Sequence, residues 1–169
     1  MNKKLILLLI LFLLSVIIRV SIGEYLYLMG NVPNILLITV VVVSMIVPGG
    51  WVPYVYAVLC GMIEDMLYSR QIGYHILFFC ATALAVSLAR NKLMKNNILF
   101  CLLFVMAATF LYESMNWLFF GYFRMGVGVA ALFKETLTPV MAINLLLTPV
   151  FYFLYNLLLR SLSDEKGAV

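Results

Sequence analysis

Long apolar runs separated by short polar stretches extend through almost the whole chain. A helix needs about 20 predominantly apolar residues to cross the hydrocarbon layer of a bilayer. The pattern predicts six spans, at about residues 5–22, 34–47, 51–68, 72–89, 98–120 and 137–159. The breaks between them carry turn formers or charges, such as "PGG" at 48–50 and "RNKLMKNN" at 90–97. No small-x-small cleavage site follows the first run, so we expect a span there and not a signal peptide.

Composition places these runs in a membrane. Of the 169 residues, 66% are hydrophobic and 11% are charged, whereas soluble domains average about 45–50% apolar and about 25% charged residues. A single core of this size cannot bury so much apolar surface. We therefore predict an all-α polytopic membrane protein, with six transmembrane helices in one bundle and a single integral membrane domain over residues 1–169.

The lysine and arginine residues predict how the bundle is oriented. Cytoplasmic loops are enriched in these residues, and the tight loop 90–97 carries Arg90, Lys92 and Lys95. Both chain ends also carry lysine or arginine, with Lys3 and Lys4 at one end and Arg160 and Lys166 at the other. The N- and C-termini are therefore predicted to be cytoplasmic, in the cytoplasmic (inner) membrane. The net charge of +4 is spread over loops and tails, which argues against a nucleic acid partner. The outer loop 121–135 is either an ordinary surface loop or a short re-entrant segment.

Candidate chemistry is sparse. Cys60, Cys80 and Cys101 form no C-x-x-C pair, and His75 is the single histidine, so zinc, haem and disulfide frameworks lack ligands. An intramembrane aspartyl protease needs two aspartates within its spans, but here the second one, Asp164, is in the tail. No glycine-rich phosphate loop occurs. We therefore predict a non-enzymatic protein with no catalytic residues, no metal site and no cofactor.

Two adjacent carboxylates, Glu64 and Asp65, interrupt the third run within "CGMIEDMLYSRQIG" (60–73). Span 3 approaches the usual length only if both lie in its last outer turn, where a charge costs less than the ~2.5–3.5 kcal/mol of the bilayer centre. Successive helical side chains diverge by about 100°, which argues against a paired-carboxylate active site. Asp65 shares a face with Gly61, which permits close helix packing. We predict that Asp65 points inward and Glu64 toward the interface, with Arg70 as a partner for either; a helix-end pair bonded to loop amides is the alternative.

Polar residues also lie inside the last two spans. Glu113 is followed by Ser114 and Asn116 in span 5, and Asn144 lies in span 6. A hydrogen-bonded cluster joining spans 3, 5 and 6 would satisfy these groups, with each bond contributing about 0.6 kcal/mol. Proton or substrate transport would use the same residues, although we favour a structural role. Pro149 lies inside span 6, where it predicts a kink.

Several short motifs together resemble the rod shape-determining protein MreD family. A proline and a polar residue open span 2 in "VPNILLITVVVV" (32–43), a Gly-x-x-x-Asp segment and a second glycine follow in 60–73, and "INLLLTPVFYFL" (143–154) supplies an asparagine and a proline in span 6. The residues that carry the resemblance are Pro33, Asn34, Gly61, Asp65, Gly73, Asn144 and Pro149. One departure is Ala57, where the family often has another glycine.

The resemblance implies a non-enzymatic scaffold of the bacterial elongation machinery. Members of this family bind the bitopic protein MreC and help to organise the RodA glycosyltransferase, a class B penicillin-binding protein and MreB filaments during lateral peptidoglycan synthesis. The family is also similar in fold to the substrate-binding S components of energy-coupling-factor vitamin transporters. On this view the residues carrying the resemblance, with Glu64 and Glu113, are structural or partner-docking candidates.

Two other functions remain open at this point. An S component of a vitamin transporter commonly carries an Ala-x-x-x-Ala patch in span 1, but "LILLLILFLLSVIIRV" (5–20) contains no alanine, which disfavours that function. A channel or a proton-coupled carrier would use Glu113 and Asp65.

Overall fold

The computed structural model describes residues 3–23, 32–47, 50–68, 73–92, 97–118 and 137–164. All regular secondary structure in the described residues is helical, which confirms the predicted all-α class. The six helices described are α1 (Lys3–Gly23), α2 (Ile35–Ile46), α3 (Val52–Tyr68), α4 (Tyr74–Lys92), α5 (Ile98–Asn116) and α6 (Thr138–Asp164). Each coincides with a predicted span to within a few residues. The predicted outer loop 121–135 lies outside the described residues.

Helix α2 is the centre of the bundle, and every residue from Ile35 to Met45 is buried. It contacts all five other described helices, among which α3 packs on α4, α5 packs on α6, and α1 contacts both α3 and α6. With 12 residues, α2 is about 18 Å long at 1.5 Å per residue. That is shorter than the hydrocarbon layer of about 30 Å. The burial of Ile35 to Met45 means that the neighbouring helices enclose α2.

The surrounding helices present large apolar side chains outward. Leu77, Leu146 and Leu157 are each at least 70% exposed, and α1 alone exposes six leucine, isoleucine or valine residues between Leu9 and Val20. Among the described residues, three helical stretches are long and apolar enough to cross a membrane, at Lys4–Ser21, Ile98–Asn116 and Thr138–Leu159. Shorter apolar helices occupy Ile35–Ile46 and Tyr74–Arg90. That all six helices cross the membrane stays a prediction.

Helices α3 and α4 approach each other closely at Gly61. A Cβ added to Gly61 would lie 2.5 Å from the Cα of Ile76 and 2.7 Å from its nitrogen, so only glycine fits there without moving α4. The chain enters α4 through Gly73, whose φ of +105° is a left-handed conformation that glycine adopts readily. Ala57, one turn before Gly61, is fully buried.

Helix α6 continues through its internal proline. Pro149 lies inside the helix that runs from Thr138 to Asp164. The hydroxyl of the preceding residue, Thr148, donates a hydrogen bond of 2.6 Å to the carbonyl of Asn144. The bend expected at Pro149 stays a prediction.

Candidate functional site

Polar side chains gather at one end of the bundle, where α1, α3 and α5 finish and α2, α4 and α6 begin. Eight of them form a polar layer: Arg19, Asn34, Glu64, Asp65, His75, Thr109, Tyr112 and Asn144. None is more than 8% exposed. Burying polar groups is costly unless they are hydrogen-bonded, and each member of the polar layer has a partner on another helix. The layer divides into three sets of contacts.

The first set is an ion pair between α1 and α3. Arg19 donates to both carboxylate oxygens of Glu64, with Nη2 2.7 Å from Oε1 and Nε 3.4 Å from Oε2. Its Nη1 lies 3.4 Å from the carbonyl oxygen of Pro33, at the entry to α2. The guanidinium also lies over the ring of Tyr68, 4.4 Å from the centroid. Arg19 therefore connects the ends of α1, α2 and α3.

The prediction that Glu64 points toward the interface is wrong. Its side chain is only 1% exposed, and that of Arg19 is 9% exposed. The adjacent carboxylates do diverge, but α3 has α1 on one side and α4 on the other, so both directions lead into the bundle. Arg70, predicted as a partner for either carboxylate, lies outside the described residues.

The second set joins α3, α4 and α5 through Asp65. Its carboxylate accepts hydrogen bonds from the backbone nitrogens of Gly73 and His75, at 2.8 and 3.0 Å, and a longer one from Ile76. These amides belong to the entry and first turn of α4, where backbone N–H groups have no partner within the helix. A negative charge is also favourable at a helix N-terminus. Asp65 thus caps α4 from the neighbouring helix.

His75 extends this contact to α5. Its Nδ1 is 2.8 Å from Oδ1 of Asp65, and its Nε2 is 2.7 Å from the hydroxyl of Tyr112. An ionised Asp65 can only accept, so Nδ1 carries the proton and, in the neutral ring, Nε2 accepts from Tyr112. A histidine between an acid and a hydroxyl resembles a catalytic triad. Here the third member is a phenol 8% exposed, so within the described residues the arrangement joins helices and presents no accessible nucleophile.

The third set joins α2, α5 and α6. Asn34 caps α2 by accepting from the backbone nitrogen of Leu37 at 3.0 Å. Its own backbone nitrogen donates to Oδ1 of Asn144 at 3.0 Å, and Nδ2 of Asn144 donates to the hydroxyl of Thr109 at 3.0 Å. A single asparagine on α6 therefore holds the start of the central helix against α5.

The expectation of one polar cluster joining spans 3, 5 and 6 is corrected by this geometry. Asn144 faces the central helix α2, whereas Asp65 faces α4, so the two belong to separate sets. Glu113 is half-buried and is not among the hydrogen-bonded partners in either set. The reason is helical register, because Glu113 follows Tyr112 by one residue and diverges from it by about 100°.

Sequence reasoning missed a second group of contacts, in the middle of the bundle. The hydroxyl of Tyr155 in α6 is 2.9 Å from that of Ser15 in α1 and 2.9 Å from that of Tyr56 in α3. The hydroxyl oxygens of Ser15 and Tyr155 also lie 2.8 and 3.2 Å from the carbonyl oxygen of Leu11, which accepts from one of them at a time. The sequence signal that could have pointed to these contacts is the presence of hydroxyl-bearing residues inside otherwise apolar runs. For His75, Tyr112 and Arg19 the signal was polar atoms near the predicted span ends.

The described residues offer no cluster of three or more histidine, cysteine, aspartate or glutamate side chains suited to a metal ion. Cys60, Cys80 and Cys101 are free thiols, the first and last of them buried. The side chains of the polar layer are hydrogen-bonded to one another and to backbone groups, and these contacts fix how the helices meet.

These features define an all-helical membrane protein whose buried polar residues connect helix to helix. The chain belongs to the MreD family: residues 1–162 match the family described as rod shape-determining protein MreD. The match covers nearly all of the 169 residues and confirms the resemblance seen in the sequence motifs. Membership assigns the chain to membrane proteins of rod shape determination, which are not a known enzyme family. Neither a curated protein nor a solved structure matches the chain significantly.

Proposed function

We propose that this protein is a non-enzymatic membrane scaffold of the bacterial elongation machinery. In this role it binds MreC and helps to organise lateral peptidoglycan synthesis, and thereby rod shape. The RodA glycosyltransferase and a class B penicillin-binding protein join the same assembly, with MreB filaments coupled to it directly or through other members. The observation that carries the proposal is the family match over residues 1–162.

The polar layer supports a scaffold function, because its side chains already have hydrogen-bond or ion-pair partners within the bundle. Asp65 accepts three backbone N–H groups and the ring of His75, and Glu64 is paired with Arg19. A transport site needs polar groups that can exchange partners with a substrate or a proton. A docking protein instead needs a fixed arrangement of helices with outward apolar faces, such as the faces of α1 and α6, that another transmembrane segment can contact.

The proposal includes an arrangement in the membrane. All six helices cross the cytoplasmic (inner) membrane, with both termini in the cytoplasm and the polar layer toward the outer side. The basic residues at the other end of the bundle support this orientation, and Arg90 there donates to the carbonyl of Val47 at 2.7 Å. We extend the proposal to an architecture similar to that of energy-coupling-factor S components, without their function.

Affinity purification from native membranes tests the scaffold function. A tag after the C-terminal residue, mild detergent and identification of the co-purified proteins should recover MreC. Leu77→Ala is the control substitution, since this side chain lies on the outward face of α4, is 73% exposed and makes no hydrogen bond. This variant should be expressed, and should recover MreC, to the same extent as the wild type. Recovery of an energy-coupling ATPase module or a bound vitamin in place of MreC would sink the proposal and favour the transporter alternative.

Asp65→Ala gives a second test of the same function. The variant leaves up to three backbone N–H groups of α4 and the ring of His75 without their acceptor, and each unsatisfied buried donor costs about 1–3 kcal/mol. We expect a lower protein level and less co-purified MreC, measured by quantitative blotting of equal amounts of membrane. Uptake of a substrate by wild-type membranes that is lost in Asp65→Ala would contradict a scaffold and indicate transport.

A further inference from the structure

One carboxylate within the described helices, that of Glu113, lacks the partners that the other helix carboxylates have. Glu64 is paired with Arg19, and Asp65 accepts from amides and contacts His75. Among the described residues, neither a hydrogen bond nor a positive charge acts on the carboxylate of Glu113. Ionisable side chains inside a membrane are rare, and they pair with one another or mark a functional site. The bundle therefore leaves Glu113 in need of a cation.

The surroundings of Glu113 supply no such cation. Glu113 is half-buried and lies one helical turn before α5 ends at Asn116, at the same end of the bundle as the polar layer. The ionisable side chains on which its charge acts include Tyr74 of α4 and Tyr112 of α5. Both are phenols, which are acids and provide no positive charge. A positive group that pairs with Glu113 must come from elsewhere.

Glu113 lies at one end of a stripe of exposed side chains along α5. The α5 stripe consists of Leu99, Leu103, Met106, Phe110 and Glu113, at alternating spacings of four and three residues. Its four apolar members are 40–68% exposed. At about 100° and 1.5 Å per residue, the stripe is about 80° wide and about 21 Å long. A repeat of 3.5 residues is the seam along which two helices pack with a left-handed crossing, the commonest geometry in membranes.

The length and charge of the α5 stripe fit a helix better than a lipid. The stripe follows about two-thirds of a hydrocarbon layer that is about 30 Å thick, whereas an acyl chain covers one leaflet and offers a carboxylate no partner. Every phospholipid headgroup carries an anionic phosphate, which a carboxylate repels. An arginine or lysine on a neighbouring transmembrane helix satisfies both the apolar stripe and the charge at its end.

We propose that the α5 stripe docks a transmembrane helix of a partner protein, and that an arginine or lysine of this helix pairs with Glu113. The apolar side chains of the stripe pack against the partner helix, and the ion pair fixes its depth in the membrane. The site rests on the proposed scaffold function and deepens it, because it names the surface and the chemistry by which a partner binds.

Photo-crosslinking from the α5 stripe in native membranes tests the site. In the full-length protein, p-benzoylphenylalanine replaces Leu103, whose side chain is 53% exposed, and the crosslinked peptide is identified by mass spectrometry. We expect a transmembrane segment of another protein, with an arginine or lysine about 15 Å along its axis from the crosslink, the rise of ten residues. The same substitution at Leu13, which is exposed on α1, should not give this product, because α1 packs on α2, α3 and α6.

Exchange of the charges identifies Glu113 as the anchor. Glu113→Gln should lower the crosslinking yield about five-fold, as expected for the loss of one interhelical polar bond. Replacing the partner's basic residue by glutamine should have the same effect, and Glu113→Lys combined with glutamate at the partner's position should restore the yield. Phe110→Ala on the stripe should also lower it, whereas Leu111→Ala, 55% exposed beside the stripe, should not. All yields are normalised to the level of each variant in the membrane.

Several results would overturn the docking site. They are a yield unchanged by Glu113→Gln, a crosslinked segment without a basic residue, a product made only of copies of this chain, and no protein crosslink at Leu103, which would mean that lipid covers the stripe. An equal loss with Arg124→Gln or Lys134→Gln would assign the cation to this chain and overturn it as well. Recovery of MreC by the wild type, with a yield that Glu113→Gln does not change, would leave the scaffold function standing without this site.

Discussion

Removing one half of the Arg19–Glu64 pair is expected to destabilise the bundle much more than removing both halves. The single variants are Arg19→Met and Glu64→Leu, and the third protein carries both substitutions. Methionine and leucine are apolar and close enough in size to fill the space left by the original side chains. Each single variant leaves one charged group at a site that is nearly closed to solvent.

The magnitude follows from the burial and geometry of the pair. Arg19 and Glu64 make two contacts, at 2.7 and 3.4 Å, and their side chains are 9% and 1% exposed. Breaking a buried pair by removing one partner costs about 3–5 kcal/mol, whereas replacing both by apolar residues is often neutral. The double variant is therefore expected to lie near the wild-type stability, with a coupling energy of several kcal/mol in the double-mutant cycle.

Reversible unfolding in mixed micelles, with increasing mole fraction of sodium dodecyl sulfate and tryptophan fluorescence as the signal, provides the free energies of unfolding. Tyr68→Leu is the matched control, because it keeps the ion pair and removes only the ring under Arg19; a cation–π contact at an exposed site contributes about 0.5–1 kcal/mol. If each single variant loses less than about 1 kcal/mol, or if the double variant loses the sum of the two, the buried pair does not exist as described.

Three further predictions use the same unfolding measurement. Gly61→Ala brings a Cβ within 2.5 Å of the Cα of Ile76 and should lower the free energy of unfolding by about 1–3 kcal/mol. The control Ala81→Leu, on the exposed face of α4, should change it little. A Gly61→Ala variant as stable as the wild type would contradict the close approach of α3 and α4. Asn144→Ala removes the bonds to α2 and α5 and should lose about 1–2 kcal/mol, so a neutral result would argue against that contact. Tyr155→Phe removes the hydroxyl shared by α1 and α3 and should lose about 1 kcal/mol; an unchanged midpoint would show that water satisfies those groups.

Much of the fold could be predicted because its main signal is local. A membrane leaves backbone groups no partner except one another, so an apolar run folds as a helix. This holds even for "TVVVV" (39–43) in α2, whose β-branched residues are weak helix formers in water. The positions of the helices therefore follow from run length and from the polar breaks between runs. The family motifs also lie in the linear sequence, so the MreD resemblance needed no structure.

The candidate site was only partly predictable. Asp65 and Asn144 stand out because polar side chains are rare in apolar runs, and Gly61 stands out by its spacing to Asp65. Their partners do not stand out, since His75 and Thr109 look like ordinary residues of a helix. The predicted inward direction of Asp65 and outward direction of Glu64 rested on helical geometry alone, which says that the two diverge but not what lies on either side.

The sequence by itself determined that this is a membrane protein, where its helices lie along the chain, and which family it belongs to. Only the tertiary structure decided which polar groups meet, because those pairs join residues far apart in the chain. Arg19 and Glu64 are 45 positions apart, and Asn34 and Asn144 are 110 apart. A helical run specifies its own axis and the spacing of its side chains, but the neighbour that each face meets depends on how all the helices pack around α2. That packing turned the Glu64 carboxylate, predicted to reach the interface, into one half of a buried ion pair.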